Sequence, residues 1–151
     1  MIDVAVALAV HMVGIVWWLG GVAFVTTVVL PRVRREADPH AAFQQTERRF
    51  APQARVAMLL VGASGVYLLW RFHAWHWFLL GHYWWLDAMS AYWVFFFFML
   101  FVAEPLGLFG KGHGPRSADL WVRRTLRLHR ILLAVGLVIV GAATAGMSGW
   151  G

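Results

Sequence analysis

The sequence predicts an all-α integral membrane protein, a single four-helix bundle that takes in residues 1–151. Hydrophobic residues make up 61% of the chain and charged residues only 13%, about half the charged share of a typical soluble domain. Four apolar runs are each long enough to cross a bilayer, which takes about 20 helical residues. These predicted spans lie at about 3–30, 55–74, 83–104 and 127–149.

The basic residues predict the orientation of the bundle. Nearly all of the 13 Lys and Arg residues lie in or beside two connections, the one after the first span and the one after the third. By the positive-inside rule these connections face the cytoplasm, so both termini and the 73–83 connection face outside. We therefore expect a multi-pass protein of a bacterial-type cytoplasmic (inner) membrane. Its net charge of +6 reflects contact with membrane lipid and not with nucleic acid.

The first two spans have recognisable boundaries. The first span has no basic leading region and is longer than the apolar core of a signal peptide, so we expect it to be retained as a helix. Pro31 predicts its end, because proline lacks an amide donor. The polar stretch "AFQQTERRFAPQAR" at 42–55 has helical character and predicts that the second helix extends into the cytoplasm ahead of Pro52.

The remaining connections differ in composition. Glu104-Pro105 predicts the end of the third helix, where Glu104 is expected to pair with a loop arginine. The stretch at 107–117 is glycine-rich and predicts a flexible loop. The 71–85 stretch "RFHAWHWFLLGHYWW" is rich in Trp and Tyr, which favour the membrane–water interface. Asp87, just inside the third span on the outer side, is expected to pair with Arg71 or a protonated histidine.

Several kinds of chemistry are excluded. The chain has no cysteine, so it forms no disulfide, thiolate zinc site, cysteine-ligated iron–sulfur cluster or cysteine nucleophile. It also lacks a Walker loop, an HExxH motif and a GxSxG motif. Whether the protein is an enzyme stays open at this point.

The strongest functional candidate is His11, in the stretch "HMVGIVWWLGG" at 11–21. Ionisable residues inside a membrane are expensive and usually functional. His11, Gly14 and Trp18 fall on one helical face, and a glycine one turn from an imidazole leaves room for a flat macrocycle. The alternative is a neutral histidine that is hydrogen-bonded across the bundle.

Counting helical rise from the arginine-rich ends predicts which residues lie level with His11. That count places it beside an outer cluster consisting of His73, His76, His82 and Met147. Counting from the opposite ends matches it instead with Tyr67, Asp87 and Met89. We take the outer cluster as the prediction. His129, among arginines in the fourth span, marks a second candidate site, which His40 and His113 are placed to reach from the two connections, or an interfacial basic residue.

Two stretches resemble known membrane families. "HMVGIVWWLGGVAFVTTVVLPRV" at 11–33 and "TERRFAPQARVAMLLVGASGVYLL" at 46–69 resemble the copper-resistance D (CopD-like) proteins. His11 and Pro31-Arg32 are also similar to HemJ-type protoporphyrinogen oxidases, although the third span lacks the lysine which that family pairs with its histidine. Both families resemble four-helix membrane cytochromes b, whose interior histidines ligate b haem. This shared likeness ranks haem above copper.

Three functions are therefore expected, in this order. The first is a haem b electron-transfer or quinone-linked redox protein, with His11 on one side of the iron and His73, His76 or His82 on the other. The second is a copper transport or handling protein, since thioethers suit Cu(I); its ligands would come from His11, His76, His82, Met89 and Met147. The third is a cofactor-free accessory subunit of a larger membrane complex or a homo-oligomer.

Overall fold

The computed structural model describes residues 1–106 and 115–148, without the side chains of 115–119. Within these residues the chain is helical, with no strand. Four helices are long and apolar enough to cross a membrane: Ile2–Val33, Pro39–Arg71, Gly81–Ala103 and Leu120–Met147, the last being part of Pro115–Met147. The predicted all-α fold with four potential spans is confirmed. We call the end with the two arginine-rich connections the arginine-rich end, and the opposite end the aromatic end.

Two helices begin well before their apolar runs. The second begins at Pro39, so the predicted helical extension through 42–55, ahead of its apolar span, is confirmed. It begins there because the Asp38 carboxylate accepts hydrogen bonds of 3.1 Å from the amides of His40 and Ala41. Such a cap, followed by proline in the first turn, is a strong helix start. The fourth begins at Pro115 instead of near residue 127, which puts 115–117 of the predicted loop in a helix. The rest of that loop lies outside the described residues.

Neither Pro31 nor Pro52 ends a helix, so the predicted end at Pro31 is wrong. A π-helical turn at Val25–Val29 precedes Pro31, and the first helix continues to Val33. Pro52 lies inside Pro39–Arg71. The predicted end of the third helix is confirmed, because a π-helical turn at Met99–Ala103 closes it just before Glu104 and Pro105.

Glu104 pairs with an arginine, as predicted, although Arg55 belongs to the second helix and not to a loop. A guanidinium nitrogen of Arg55 lies 3.1 Å from the Glu104 carboxylate. Arg55 Nε also donates to the Leu100 carbonyl at 3.2 Å, within the π-helical turn. The pair therefore ties the second helix to the third at the arginine-rich end.

The aromatic connection forms two short 3-10 helices, Ala74–Trp77 and Gly81–Tyr83, whose Trp77 and Tyr83 rings stack at 4.6 Å. Asp87 accepts hydrogen bonds from the Leu79 amide at 3.2 and 3.3 Å. The expected partners of Asp87, Arg71 or a histidine, are therefore wrong. A backbone amide in an irregular turn needs an acceptor, and Asp87 supplies it.

The bundle core is centred on Trp18, which is 7% exposed. Its ring packs on Tyr92 and Phe96 of the third helix at 5.4 and 5.0 Å. On the other side lie the fully buried Ala57 and Met58 of the second helix. This core fixes the depth at which the first three helices meet.

Candidate functional site: a histidine between the first two helices

The His11 ring is held by two hydrogen bonds to the second helix. Its Nδ1 lies 3.1 Å from the Val61 carbonyl oxygen and 3.0 Å from the Ser64 hydroxyl oxygen. The Ser64 hydroxyl donates its own proton to the Leu60 carbonyl, so toward His11 it acts as an acceptor. The Val61 carbonyl can only accept. Both partners therefore require that Nδ1 carry the ring proton.

This arrangement defines the tautomer of His11. With the proton on Nδ1, the neutral imidazole keeps its lone pair on Nε2. Within residues 1–106 and 115–148, Nε2 makes no hydrogen bond to protein. Metal-binding histidines commonly donate their second ring N–H to a carbonyl in this way, which fixes the ring orientation and raises the basicity of the ligating nitrogen.

Glycines and small residues of the second helix make the space for the ring. A methyl group on Gly65 would lie 3.1 Å from the His11 Cε1 atom. One turn along the first helix, a methyl group on Gly14 would lie 2.8 Å from Cγ2 of Val61. The predicted shared face of His11, Gly14 and Trp18 is thus confirmed as the face that meets the second helix. Sequence reasoning missed Ser64 as the partner, although "GASG" at 62–65 marks a narrow polar spot in an apolar helix.

The depth predicted for His11 is wrong by several turns. At the aromatic end Asp3 pairs with Arg71 at 3.2 Å and accepts a hydrogen bond from the Tyr67 hydroxyl at 3.0 Å. His11 lies further in, level with Ser64, and His73 follows Ser64 by nine residues, or about 13 Å of helical rise. His11 is therefore not level with the outer histidines.

This error arises because the first two helices are offset along their axes, so their arginine-rich ends do not lie at the same depth. At the arginine-rich end, a methyl group on Gly21 would lie 2.8 Å from the Phe50 ring. Gly21 therefore lies level with a residue that precedes Arg55, although the count from that end made Pro31 level with Arg55. The count from the aromatic end, which matched His11 with Tyr67, comes closer to the observed level of Ser64.

The structure does not gather the predicted outer ligands around His11. His73, His76 and His82 are exposed, and the last two lie edge-on to the neighbouring rings of Trp77 and Tyr83. Met147 is 67% exposed. In the described residues, no three or more His, Asp and Glu side chains are grouped as a metal site.

Met89 is the predicted ligand whose depth agrees with that of His11. Trp93 Nε1 donates to the Met58 carbonyl at 2.9 Å, and the Trp93 ring fills the space over Gly62. Met89 precedes Trp93 by about one turn on the same face of the third helix, so it lies nearer the aromatic end, about level with Ser64. Its side chain is half-buried.

Three glycines of the second and fourth helices are covered by aromatic side chains of the third helix. The Trp93 ring occupies the space over Gly62, the Tyr92 ring that over Gly136, and the Trp85 ring that over Gly146. A haem between these helices does not fit this packing. A single metal ion, by contrast, does not need a wide gap between the helices. The donor atom of His11 suits either cofactor, but the covered glycines leave no room for a macrocycle between these helices.

His129, the second predicted site, is half-buried, and its Nδ1 donates to the Thr125 carbonyl of its own helix at 3.0 Å. His40 instead lies edge-on to Trp121 at 4.8 Å. Among the described residues no hydrogen bond joins these two histidines, and His113 lies outside those residues.

No family model, curated protein or solved structure matches this sequence. The resemblance to CopD-like proteins therefore stays a prediction.

Proposed function

We propose that the protein binds Cu(I) within the membrane and acts in copper transport or handling, with His11 Nε2 as the first ligand. The observation that supports this most directly is the pair of hydrogen bonds from Nδ1 to Val61 and Ser64. They hold a neutral imidazole with a free lone pair in the aromatic half of the bundle. Such an imidazole is ready to bind a metal without first losing a proton.

Met89 is the second ligand in this proposal. Cu(I) is a soft ion that accepts imidazole nitrogen and thioether sulfur. Met89 shares the depth of His11 and belongs to the helix face that carries Trp93. Bound Cu(I) would be an exchangeable soft cation, and the fixed His11 ring would determine where it binds.

The exposed histidines at the aromatic end fit the same function. Accessible nitrogen and sulfur donors lie at the aromatic end, outward from His11, on His73, His76, His82 and Met147. With the cytoplasmic-membrane orientation expected from the arginines, copper would reach these residues from outside the cell. CopD-like proteins, which the first two helices resemble, are associated with the same metal.

A haem b redox protein is the second candidate, because iron also takes a neutral histidine nitrogen. It would require Trp93 and Trp85 to leave the glycines they cover, or the macrocycle to lie on the lipid side of His11. A quinone or another membrane redox partner belongs to this candidate. A cofactor-free accessory subunit is the third.

The deciding experiment is a Cu(I) titration of the detergent-purified protein against a chromophoric Cu(I) chelator. We expect one high-affinity equivalent that is lost in His11→Gln, weakened in Met89→Leu and unchanged in His129→Gln, the matched histidine control. Absorbance spectra of the oxidised and reduced protein accompany the titration. A Soret band that depends on His11 would establish haem instead, and binding of neither cofactor would favour the accessory subunit.

A further inference from the structure

A groove of about 390 Å³ lies between the first and fourth helices in the arginine-rich half. It is far from His11 and shares no residue with that site. Its lining combines a cation, two hydroxyl-bearing residues and an apolar strip, namely Thr26, Thr27, Pro31, Arg130, Leu133, Ala134 and Leu137.

The groove has a hydrogen-bond acceptor built into its backbone. In the π-helical turn the Leu30 amide bonds to the Val25 carbonyl, so it is diverted from the Thr26 carbonyl, its usual α-helical partner. The π-helical partner of the Thr26 carbonyl would be the amide of residue 31, but Pro31 has no N–H to donate. The Thr26 carbonyl is thus left without its usual helical donor. Thr26 lines the groove and is only 3% exposed, so a hydroxyl that bonds to this carbonyl has to enter the groove.

Arg130 supplies the positive charge of the groove. Its side chain is exposed, and within the described parts of the chain it has no hydrogen-bond or ion-pair partner. Leu133, Ala134 and Leu137 follow it along the fourth helix toward the centre of the bundle, over about 10 Å of helical rise. The groove therefore runs from a free cation at headgroup depth into an apolar strip at acyl-chain depth.

We propose that this groove is a binding site for an anionic phospholipid. The lipid phosphate would pair with the Arg130 guanidinium, a headgroup hydroxyl would donate to the Thr26 carbonyl, and an acyl chain would lie along Leu133 and Leu137. Charge complementarity favours this occupant, because basic pockets between membrane helices bind anionic headgroups. A neutral quinone offers Arg130 no counter-charge. A zwitterionic lipid such as phosphatidylcholine offsets its phosphate with its own ammonium group and has no headgroup hydroxyl for the Thr26 carbonyl.

Native mass spectrometry of the full-length protein, delipidated and then supplied with equimolar phosphatidylglycerol and phosphatidylcholine, tests this site. We expect preferential retention of phosphatidylglycerol by the unaltered protein. Arg130→Gln should weaken that retention about fivefold. Arg124→Gln, which removes the same charge from the same helix outside the groove, should leave it nearly unchanged.

A second variant tests the apolar part of the groove. Ala134 is exposed, so Ala134→Trp can fill the groove without disturbing the bundle core, and it should reduce phosphatidylglycerol retention with Arg130 intact. Equal retention of the two lipids by the unaltered protein would overturn the proposal, and this comparison needs no variant. Equal losses in Arg130→Gln and Arg124→Gln would also overturn it, as would Arg130-dependent retention of added ubiquinone in place of lipid.

Discussion

His11 Nδ1 lies 3.0 Å from the Ser64 hydroxyl oxygen, a contact that joins the first two helices inside the membrane-spanning region. The Ser64 proton is committed to its own helix, so the bond sets the direction in which His11 donates. A polar contact at this depth therefore determines which ring nitrogen faces a ligand.

Removing the Ser64 hydroxyl should weaken metal binding while the bundle still folds. In Ser64→Ala the Val61 carbonyl remains as a single acceptor, so the ring is less firmly oriented. We expect Cu(I) affinity to fall about tenfold, the low end of the loss seen when such outer partners of a metal ligand are removed. Competition with a Cu(I) chelator measures it. Ser64→Thr keeps the hydroxyl and should retain most of the affinity; equal affinity in Ser64→Ala and the unaltered protein would show that the bond has no role in binding.

Gly65→Ala should displace the His11 ring. The new methyl group would lie 3.1 Å from Cε1, the ring atom next to the hydrogen-bonded Nδ1. We expect Cu(I) affinity to decrease about tenfold, with Gly65→Leu abolishing binding. Gly141→Ala is the matched control, because nothing lies within 4 Å of a methyl group there. If both alanine variants bind Cu(I) alike, the contact between Gly65 and His11 is not the one that positions the ring.

Gly62→Ala should lower stability, because its methyl group would collide with the Trp93 ring. The ring would have to move away from the Met58 carbonyl to which it donates, and overpacking of this kind costs about 1–3 kcal/mol. Thermal unfolding in detergent, followed by circular dichroism, measures the change. Gly20→Ala, with nothing within 4 Å of its methyl group, should be neutral or stabilising. A Gly62→Ala variant as stable as Gly20→Ala would contradict the packing of Trp93 on the second helix.

The distribution of arginines predicts the orientation of the bundle. A reporter fused after Gly112 should be active only as a cytoplasmic reporter, and one fused at Gly81 only as an external reporter. Activity measurements on the two fusions in bacterial cells test this directly. The opposite pattern would place the His11 end of the bundle toward the cytoplasm and reverse the side from which copper arrives.

The four spans and the inward face of the first helix were predictable from the sequence. Apolar runs in a bilayer have to satisfy their backbone hydrogen bonds internally, so each run becomes a helix. The spacing of His11, Gly14 and Trp18 follows the helical repeat, which places them on one face wherever the helix ends. Helix ends were less predictable: the stretch at 42–55 indicated that the second helix extends beyond its apolar span, but hydropathy does not mark its start at Asp38 and Pro39.

The tertiary structure decided the depth of His11, because the sliding of one helix along another depends on contacts between them. The contacts of Gly21 with Phe50 and of Gly14 with Val61 set that offset, and they place His11 beside Ser64 and not beside His73. The pattern of either helix alone contains no such offset. What fills the space over Gly62 is likewise absent from the pattern of the second helix. Only the placement of Trp93 on the third helix shows that an aromatic ring, and not a cofactor, fills it.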